Sequence, residues 1–285
     1  MPVTRTTATP MRIVDSQVHI WAASTPARPW PPRHAAHREI PLDADELLSS
    51  MEQAGVDGAI LVPPSWEGER NDLVLAAALA HPDRFAVMGR LDPDDPASPE
   101  RIAAWRAQPG MLGLRFSLHR PGLAESLSAG AMNAIWRSAE THSVPIMLLV
   151  PHAMMHHIDA VAARHPGLRL VLDHLGVPSS VPVVERFTKL DELLKLARHP
   201  NVAVKASALP VLAADDYPHR SLHVHLRRVC DAFGPRRVFW GSDLSRLRGT
   251  YRQAITQITE EISWLSEDDK SWIMGRGVCE WLGWT

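Results

Sequence analysis

Residues 13–21, IVDSQVHIW, set the pattern that the rest of the chain follows. Isoleucine and valine alternate with polar residues, and β-branched side chains favour a packed, extended backbone. Successive side chains on a strand point to opposite faces, so Asp15, Gln17 and His19 are expected to share one face. Burying polar groups without partners is costly. The segment therefore predicts a strand that brings polar side chains into a site, although a strand with one solvated face would have the same pattern.

Strand-like and helix-like segments alternate along the chain. Short apolar segments predict further strands at residues 58–62, 85–91, 111–118, 144–150, 168–174, 202–207 and 237–243. Segments with helical spacing lie at residues 42–54, 71–81, 99–107, 124–142, 154–165, 182–198, 219–233, 251–265 and 268–281. Such alternation predicts a parallel α/β sheet covered by helices, and the number of units matches a (β/α)8 TIM barrel. A doubly wound open sheet is less consistent, because no glycine-rich phosphate turn follows the first strand.

The composition limits the classes of partner. We expect one barrel domain over residues 11–285, preceded by a flexible tail at residues 1–10. A formal net charge of -2 gives no basic surface for nucleic acid or an anionic membrane. No apolar run approaches the roughly 18–20 residues that span a bilayer. The two cysteines, Cys230 and Cys279, are too few for a disulfide framework, so a cytoplasmic location is predicted.

Polar residues stand at the carboxyl ends of the predicted strands. In a (β/α)8 barrel these ends form one mouth, and active sites lie there. Each residue also has an ordinary explanation: an aspartate can cap a helix, an arginine can pair with a carboxylate, and a buried histidine can simply be hydrogen-bonded. Convergence from several strands favours a site. The candidates are Gln17, His19, Arg115, Ser117, His152, His174, Lys205, Ser207 and Asp243.

A long proline-rich segment at residues 22–41 follows the first strand. Connections of this length are usually functional or disordered. The segment, with its His34 and His37, is expected either to cover the mouth or to form a plain surface loop. Three tryptophans near the first two strands could line the mouth against a ring-shaped substrate or could pack in the core. They are Trp21, Trp30 and Trp66.

Short motifs occur in a definite order along the chain. They are VDSQVHIW at residues 14–21, GLRF at 113–116, LDHLG at 172–176, GSD at 241–243 and WIMGR at 272–276. Together they resemble the markers of the amidohydrolase superfamily, most closely amidohydrolase family 2, a branch that includes sugar-acid lactonases and pyrone dicarboxylate lactonase. The resemblance extends from about residue 11 to the C-terminus, and order and spacing carry more weight than any single motif. It implies a (β/α)8 barrel and a hydrolase.

The resemblance also implies roles for individual residues. His19 resembles the second histidine of the family's first-strand His-x-His motif, and His174 resembles the sixth-strand histidine. Asp243 resembles the eighth-strand aspartate, which acts as general base or metal ligand. Arg115 resembles a fourth-strand arginine that holds a substrate carboxylate. Gln17 stands where the family has the first histidine of the motif.

This glutamine bears on the question of a metal. Zinc prefers imidazole and thiolate ligands to an amide oxygen, so a complete binuclear site is not expected. His19, His174 and Asp243 could still hold one divalent metal ion, zinc or manganese. Some lactonases of this branch work without metal. The sequence therefore leaves a metal-bound and a metal-free site open.

Water attack on a lactone or related ester of a small, carboxylated substrate is the predicted reaction. Asp243 is expected to act as general base, while Gln17, His19 and His174 orient the water or polarise the carbonyl. Substrate contacts are expected from the remaining mouth residues, Arg115, His152, Lys205, Ser207, Trp21 and Arg246. A metal-dependent decarboxylase of an unsaturated or aromatic acid is one alternative, and a non-catalytic small-molecule binder is another. A homo-oligomer is compatible with the sequence.

Overall fold

Eight parallel strands lie side by side in chain order in the computed structural model, which describes residues 11–32, 34–118, 130–177 and 181–285. The strands are β1 Val14–Val18, β2 Gly58–Leu61, β3 Phe85–Gly89, β4 Met111–Ser117, β5 Ile146–Leu149, β6 Leu170–Leu172, β7 Val202–Ser207 and β8 Val238–Gly241. Each strand pairs in parallel with the next one along the chain. The prediction of a (β/α)8 barrel is confirmed.

The first and last strands meet at their carboxyl ends and bring the two edges of the sheet together. The Asp243 backbone N–H donates to the Gln17 carbonyl oxygen at 3.0 Å. The Ser242 N–H donates to Asp15 Oδ1 at 2.9 Å. Gly241 allows this close approach, because a Cβ at that position would lie 3.1 Å from the Gln17 backbone nitrogen. The contact places the predicted base beside the predicted first-strand residues.

Helices cover the outside of the barrel. The α-helices are α1 Ala44–Ala54, α2 Asp72–Ala80, α3 Ser98–Arg101, α4 Asn133–Thr141, α5 Met155–Arg164, α6 Leu190–Leu194, α7 Leu209–Leu212, α8 His223–Phe233, α9 Tyr251–Thr259, α10 Glu267–Ser271 and α11 Gly277–Leu282. Short 3-10 turns span Ser65–Glu67, Ile102–Ala107, His152–Met154, Asp173–Gly176, Val183–Glu185, Lys195–Arg198, Arg220–Leu222, Pro235–Arg237 and Leu244–Arg246. A π-helical turn, Trp272–Arg276, joins α10 to α11. Part of the helix predicted at residues 124–142 lies outside the described residues.

Local sequence sets the ends of helices α1 and α9. Asp43 Oδ1 accepts the Glu46 N–H at 2.9 Å and caps α1, which ends at Gly55 with φ 80°. Thr250 and Gln253 form a capping box at the start of α9. These caps satisfy backbone N–H groups that the first turn of a helix leaves without a partner.

The inside of the barrel changes from an apolar floor to a charged layer. The floor is built by inward-facing side chains from all eight strands and the segment that follows β2: Val14, Ile60, Val62, Ala86, Met88, Leu112, Met147, Val171, Ala203 and Phe239. Leu282 and Trp284, near the C-terminus, pack on this cluster. On β7 the next inward position after Ala203 is Lys205, which is fully buried. Polar side chains therefore begin one layer above the floor, toward the carboxyl ends of the strands.

Strand β1 departs from the simple alternation that the sequence suggests. Its register against β2 shifts between Asp15 and Val18, and such an irregularity changes the direction of side chains. Asp15 Oδ2 accepts the Tyr251 hydroxyl on α9 at 2.7 Å, whereas the Gln17 and His19 side chains contact one another. Asp15 thus has partners different from those of the other two residues, contrary to the expected common face.

In the part of the chain that the structure describes, no helix combines the length and the apolar character needed to cross a membrane. The thiols of Cys230 and Cys279 are both free.

Candidate active site

The backbone at the carboxyl ends of β6, β7 and β8 is strained where candidate residues lie. His174, Leu175, Ala208 and Asp243 have φ values of 52°, 55°, 55° and 53°. Residues other than glycine rarely adopt this left-handed conformation, which costs on the order of 1–3 kcal/mol each. Strain of this kind concentrates at functional sites, where surrounding contacts hold it in place. The strained turns therefore support a site at this end of the barrel.

A buried network of charges lies beneath the mouth. Arg115 Nε donates to Asp173 Oδ2 at 3.1 Å, and Lys205 Nζ lies 2.9 Å from Asp173 Oδ1. Arg115 also donates to Ser117 Oγ. Burial alone would raise the pKa of Asp173, but Lys205 and Arg115 hold that pKa well below its usual range. Asp173 is therefore a charged carboxylate that compensates for two buried cations.

Lys205 also fixes the orientation of Gln17. Lys205 Nζ lies 2.6 Å from Gln17 Oε1, and an ammonium can only donate, so the amide oxygen must face the lysine. The Gln17 NH2 group then faces His19 Nε2, at 3.3 Å. His19 Nδ1 lies 2.6 Å from the Val62 carbonyl oxygen, which can only accept. Neutral His19 therefore carries its proton on Nδ1 and presents Nε2 as an acceptor.

Asp243 and His19 face one another with two acceptor atoms. Asp243 Oδ1 lies 3.4 Å from His19 Nε2 and has no hydrogen-bond partner among the described residues. Burial lowers the pKa of His19 well below its ordinary value and raises the pKa of Asp243 to about 6. Arg246 opposes the rise at Asp243, since its Nη1 lies 3.8 Å from Asp243 Oδ2. Since Gln17 donates to His19 Nε2, Asp243 Oδ1 is the acceptor of this pair toward which a donor such as a water molecule can point.

Two further histidines stabilise the turn after β6. His174 Nδ1 lies 2.8 Å from Ser207 Oγ, and burial lowers the pKa of His174 to about 3. His174 is therefore a neutral hydrogen-bonding group at neutral pH. His152 Nε2 lies 3.0 Å from the Leu175 carbonyl oxygen and ties the end of β5 to the same turn. The structure thus brings His174 and Ser207 into contact, while the described contact of His152 is with the backbone.

Aromatic side chains cover one side of the mouth. The Trp66 ring centroid lies 4.6 Å from that of His37 and 6.0 Å from that of His19. His37 Nδ1 lies 2.8 Å from Ser245 Oγ, in the turn that follows β8. Trp21 packs edge-on to Trp66 at 5.4 Å and is only 2% exposed. The proline-rich segment therefore reaches the mouth through His37, and Trp66 lies nearer to the mouth than Trp21.

Sequence reasoning missed two residues that support the site from below, Asp173 and Tyr251. Asp173 was recognisable in principle, because it is a charged residue directly before His174 in an apolar strand. Asp15 is fully buried and accepts both the Gln17 N–H, at 3.0 Å, and the Tyr251 hydroxyl. Tyr251 gives no sequence signal, because it stands 236 residues from Asp15. Its contact becomes visible only when α9 is packed on the barrel.

A divalent metal fits the donor set only in part. Within the described ranges, no group of three or more His, Cys, Asp or Glu side chains is arranged to hold a metal ion. His19 Nε2 and Asp243 Oδ1 are available donors, and the contact of His19 Nδ1 with a carbonyl is usual for a metal-binding histidine. Gln17 is a poor third donor, because its amide oxygen already accepts from Lys205 and zinc prefers imidazole to an amide oxygen. Acid–base chemistry is available from the side chains themselves.

The fold and the buried acid–base residues at its mouth define an enzyme of the (β/α)8-barrel class. The chain belongs to the amidohydrolase family, since a family model described as Amidohydrolase matches residues 14–276. The family prediction is confirmed. Among curated proteins, the chain is 29% identical over 250 residues to an L-fucono-1,5-lactonase from Burkholderia ambifaria. The alignment covers 84% of this chain and 82% of that protein.

Several solved structures share the fold. An amidohydrolase from Burkholderia multivorans with bound Zn has a TM-score of 0.78 at 23% identity and covers 95% of this chain and 99% of its own. A putative 2-pyrone-4,6-dicarboxylic acid hydrolase from Pseudomonas putida has a TM-score of 0.77 at 21% identity, over 96% and 98% of the two chains. A 5-carboxyvanillate decarboxylase from Sphingomonas paucimobilis has a TM-score of 0.64 at 17% identity, over 97% and 100%. At these identities the likeness shows the fold alone, so the reaction must be inferred from the site.

Proposed function

We propose that this protein hydrolyses a lactone or a related ester of a small, carboxylated organic substrate. The observation that carries this proposal is the buried Asp243 carboxylate at the end of β8, which faces the neutral imidazole of His19. Membership in the amidohydrolase family and similarity to an L-fucono-1,5-lactonase support the hydrolysis of a lactone.

Asp243 acts as the general base. Its Oδ1 has no hydrogen-bond partner among the described residues, so a water molecule that donates to it directs its lone pairs toward a bound carbonyl. As the water oxygen bonds to the carbonyl carbon, one proton passes to Asp243 and an oxyanion forms. Collapse of the oxyanion breaks the ester C–O bond. The leaving oxygen takes the proton from Asp243, and the product is a hydroxy acid.

Gln17 and His174 polarise the carbonyl. The Gln17 NH2 group has two hydrogens, and the contact with His19 Nε2 uses one of them. The other can donate to the carbonyl oxygen as it becomes an oxyanion. One donor of this kind is worth roughly 10²–10³ in kcat. His174 is neutral at neutral pH and is thus suited to hydrogen bonding rather than to binding an anion.

We expect the rate to depend on the protonation of Asp243. Burial raises the pKa of this carboxyl to about 6, and only the carboxylate can accept a proton from water. The value of kcat/KM should therefore be high above pH 6 and fall about tenfold per pH unit below it. Initial rates corrected for uncatalysed hydrolysis measure this, with circular dichroism at each pH to show that the fold persists. A profile that stays flat through pH 6 would contradict the role of Asp243.

Arg246 is assigned to the substrate carboxylate. Its side chain is 29% exposed and lies beside Asp243, whereas Arg115 is 5% exposed and donates to Asp173 and Ser117. Charge-assisted hydrogen bonds contribute about 1.5–3 kcal/mol, so Arg246→Met should raise KM for carboxylated substrates about 10–100-fold. KM for neutral lactones should change little.

Hydrolysis rates of matched carboxylated and neutral lactones test this assignment. They are measured well above pH 6, so that Asp243 stays ionised when the nearby cation is removed. Equal losses on both substrates would instead indicate that Arg246 supports Asp243. Substrate contacts of Arg115, His152, Lys205, Ser207 and Trp21 stay predictions.

A turnover screen tests the function. Sugar-acid lactones, pyrone dicarboxylates and aryl esters are supplied to the purified protein with and without a chelator, and the zinc and manganese contents are measured on the same samples. Release of a hydroxy acid from a lactone supports the proposal. The decarboxylase alternative requires release of CO2 by metal-loaded protein, so activity that survives complete metal removal excludes it. Binding without turnover would favour the non-catalytic alternative.

The proposal also covers a bound metal ion, the cellular compartment and the oligomeric state. One divalent ion, zinc or manganese, would be held by His19 and Asp243 with His174 nearby, where it would act as a Lewis acid. The residue-based reaction above does not require it. The two free thiols are consistent with a cytoplasmic location, and a homo-oligomer stays a prediction.

A further inference from the structure

Lys205 is an unusual residue for its place in the barrel. It occupies an inward-facing position on β7 and is 0% exposed. Burial of an ammonium is expensive unless good partners compensate for it. Asp173 lies 2.9 Å from Lys205 Nζ, but that carboxylate already accepts Arg115. Charge balance alone therefore does not explain the second contact of Lys205, which is with Gln17.

The contact with Gln17 is short and directional. Lys205 Nζ lies 2.6 Å from Gln17 Oε1, and both side chains are fully buried. An amide whose oxygen accepts from a cation has more positive N–H hydrogens, because hydrogen bonds in a chain polarise one another. The low dielectric of the barrel interior strengthens this effect. The positive charge of Lys205 is thus felt at the Gln17 NH2 group, next to His19 and the mouth.

We propose that Lys205 is a positioning residue for hydrolysis, and that its ammonium orients and polarises the Gln17 amide so that the NH2 group donates to the reacting carbonyl oxygen. This inference rests on the proposed function for its kinetic consequence, but the orientation of Gln17 is a property of the protein without substrate. Lys205 acts on the reaction through Gln17. The donor is fixed before the substrate binds, so no reorganisation is needed as the oxyanion forms.

A double-mutant cycle separates this role from a structural one. Lys205→Met in the otherwise native protein should lower kcat about 10–100-fold and change KM less than about twofold. In a Gln17→Met background the same Lys205→Met change should lower kcat less than about twofold, because the amide through which Lys205 acts is gone. A lysine that only neutralises Asp173 would give the same loss in both backgrounds, and that result overturns the proposal.

Two further variants serve as controls for the effect of Lys205→Met. Lys205→Gln keeps a donor toward Gln17 without the charge, so its kcat should fall between those of the native protein and Lys205→Met. It also replaces Lys205→Met in the cycle if the methionine variant does not fold. Lys270→Met is the matched control, since Lys270 is also largely buried, at 8% exposure, and pairs with Glu267 at 2.7 Å on α10. Its kcat should remain native.

An NMR measurement tests the orientation without any lactone. The side-chain amide signals of Gln17 are assigned by their loss in Gln17→Met. In the native protein they should lie outside the range of ordinary glutamine amides, and in Lys205→Met they should return toward it. Unchanged signals overturn the proposal. Displaced signals in a protein without lactone turnover would leave the orientation standing and remove the proposed function, so the two failures are distinguishable.

Discussion

Asp243→Asn lowers kcat for lactone hydrolysis by at least about 10²-fold, and we expect it to fold normally. The amide has nearly the shape of the carboxylate but cannot accept a proton from water. The backbone at this position is held independently of the side chain, because the Asp243 N–H donates to the Gln17 carbonyl oxygen at 3.0 Å. The left-handed φ of 53° is also one that asparagine tolerates well. Steady-state kinetics at a pH well above 6 measure the effect.

The control for this variant is Asp231→Asn on α8. Asp231 is 65% exposed and pairs with Arg227 at 3.5 Å on the surface. It has no assigned role at the mouth. Its kcat should remain native. Near-native turnover by Asp243→Asn would show that another group activates the water. Loss of the folded circular dichroism spectrum would instead make Asp243 a structural residue.

Asp173→Asn should cause a large loss in the free energy of unfolding. The carboxylate is fully buried between Arg115 and Lys205, and removing its charge leaves two buried cations without compensation. Removing one member of a buried ion pair typically costs about 3–5 kcal/mol. A lower midpoint in urea unfolding, compared with the native protein at neutral pH, measures this loss. Asp231→Asn again serves as the control, because exposed pairs contribute little.

The pH dependence of this stability follows from the direction of the shift. Lys205 and Arg115 hold the pKa of Asp173 below its usual range in the folded protein. Its contribution is therefore present above the unfolded pKa of about 3.9 and is lost as pH falls through the lower folded pKa. The difference between Asp173→Asn and the native protein should stay constant around neutral pH. Equal stability of the two proteins would mean that Asp173 is not a charged member of the network.

The sequence pattern was sufficient to predict the fold, because each strand of a barrel has a recognisable local pattern. Each strand is a short apolar run, buried on both faces, and each is followed by a segment with helical spacing. Element boundaries were less accurate where helices break into short pieces. The segment predicted as one helix at 182–198 is instead a 3-10 turn, helix α6 and another 3-10 turn. Helical spacing reports which face is apolar, but not where hydrogen bonding is interrupted.

The choice of mouth residues was likewise open to sequence reasoning, because strand ends converge in this fold. His19, His174 and Asp243 follow from that rule together with the family resemblance. The roles of these residues are harder to predict from the sequence. The predicted substrate contact of Lys205 is an example: its ammonium is fully buried between Gln17 and Asp173, which favours positioning over contact.

The sequence by itself determined the barrel, the amidohydrolase family and the end of the barrel where the candidate site lies, since all three depend on local patterns and their order. Only the tertiary structure decided which polar groups pair. Asp15 meets Tyr251 across 236 residues, and Lys205 meets Gln17 across 188. Such partners are set by the closure of the sheet and the packing of α9 on it. Orientation, protonation and charge balance depend on those partners, and no local pattern in the chain specifies them.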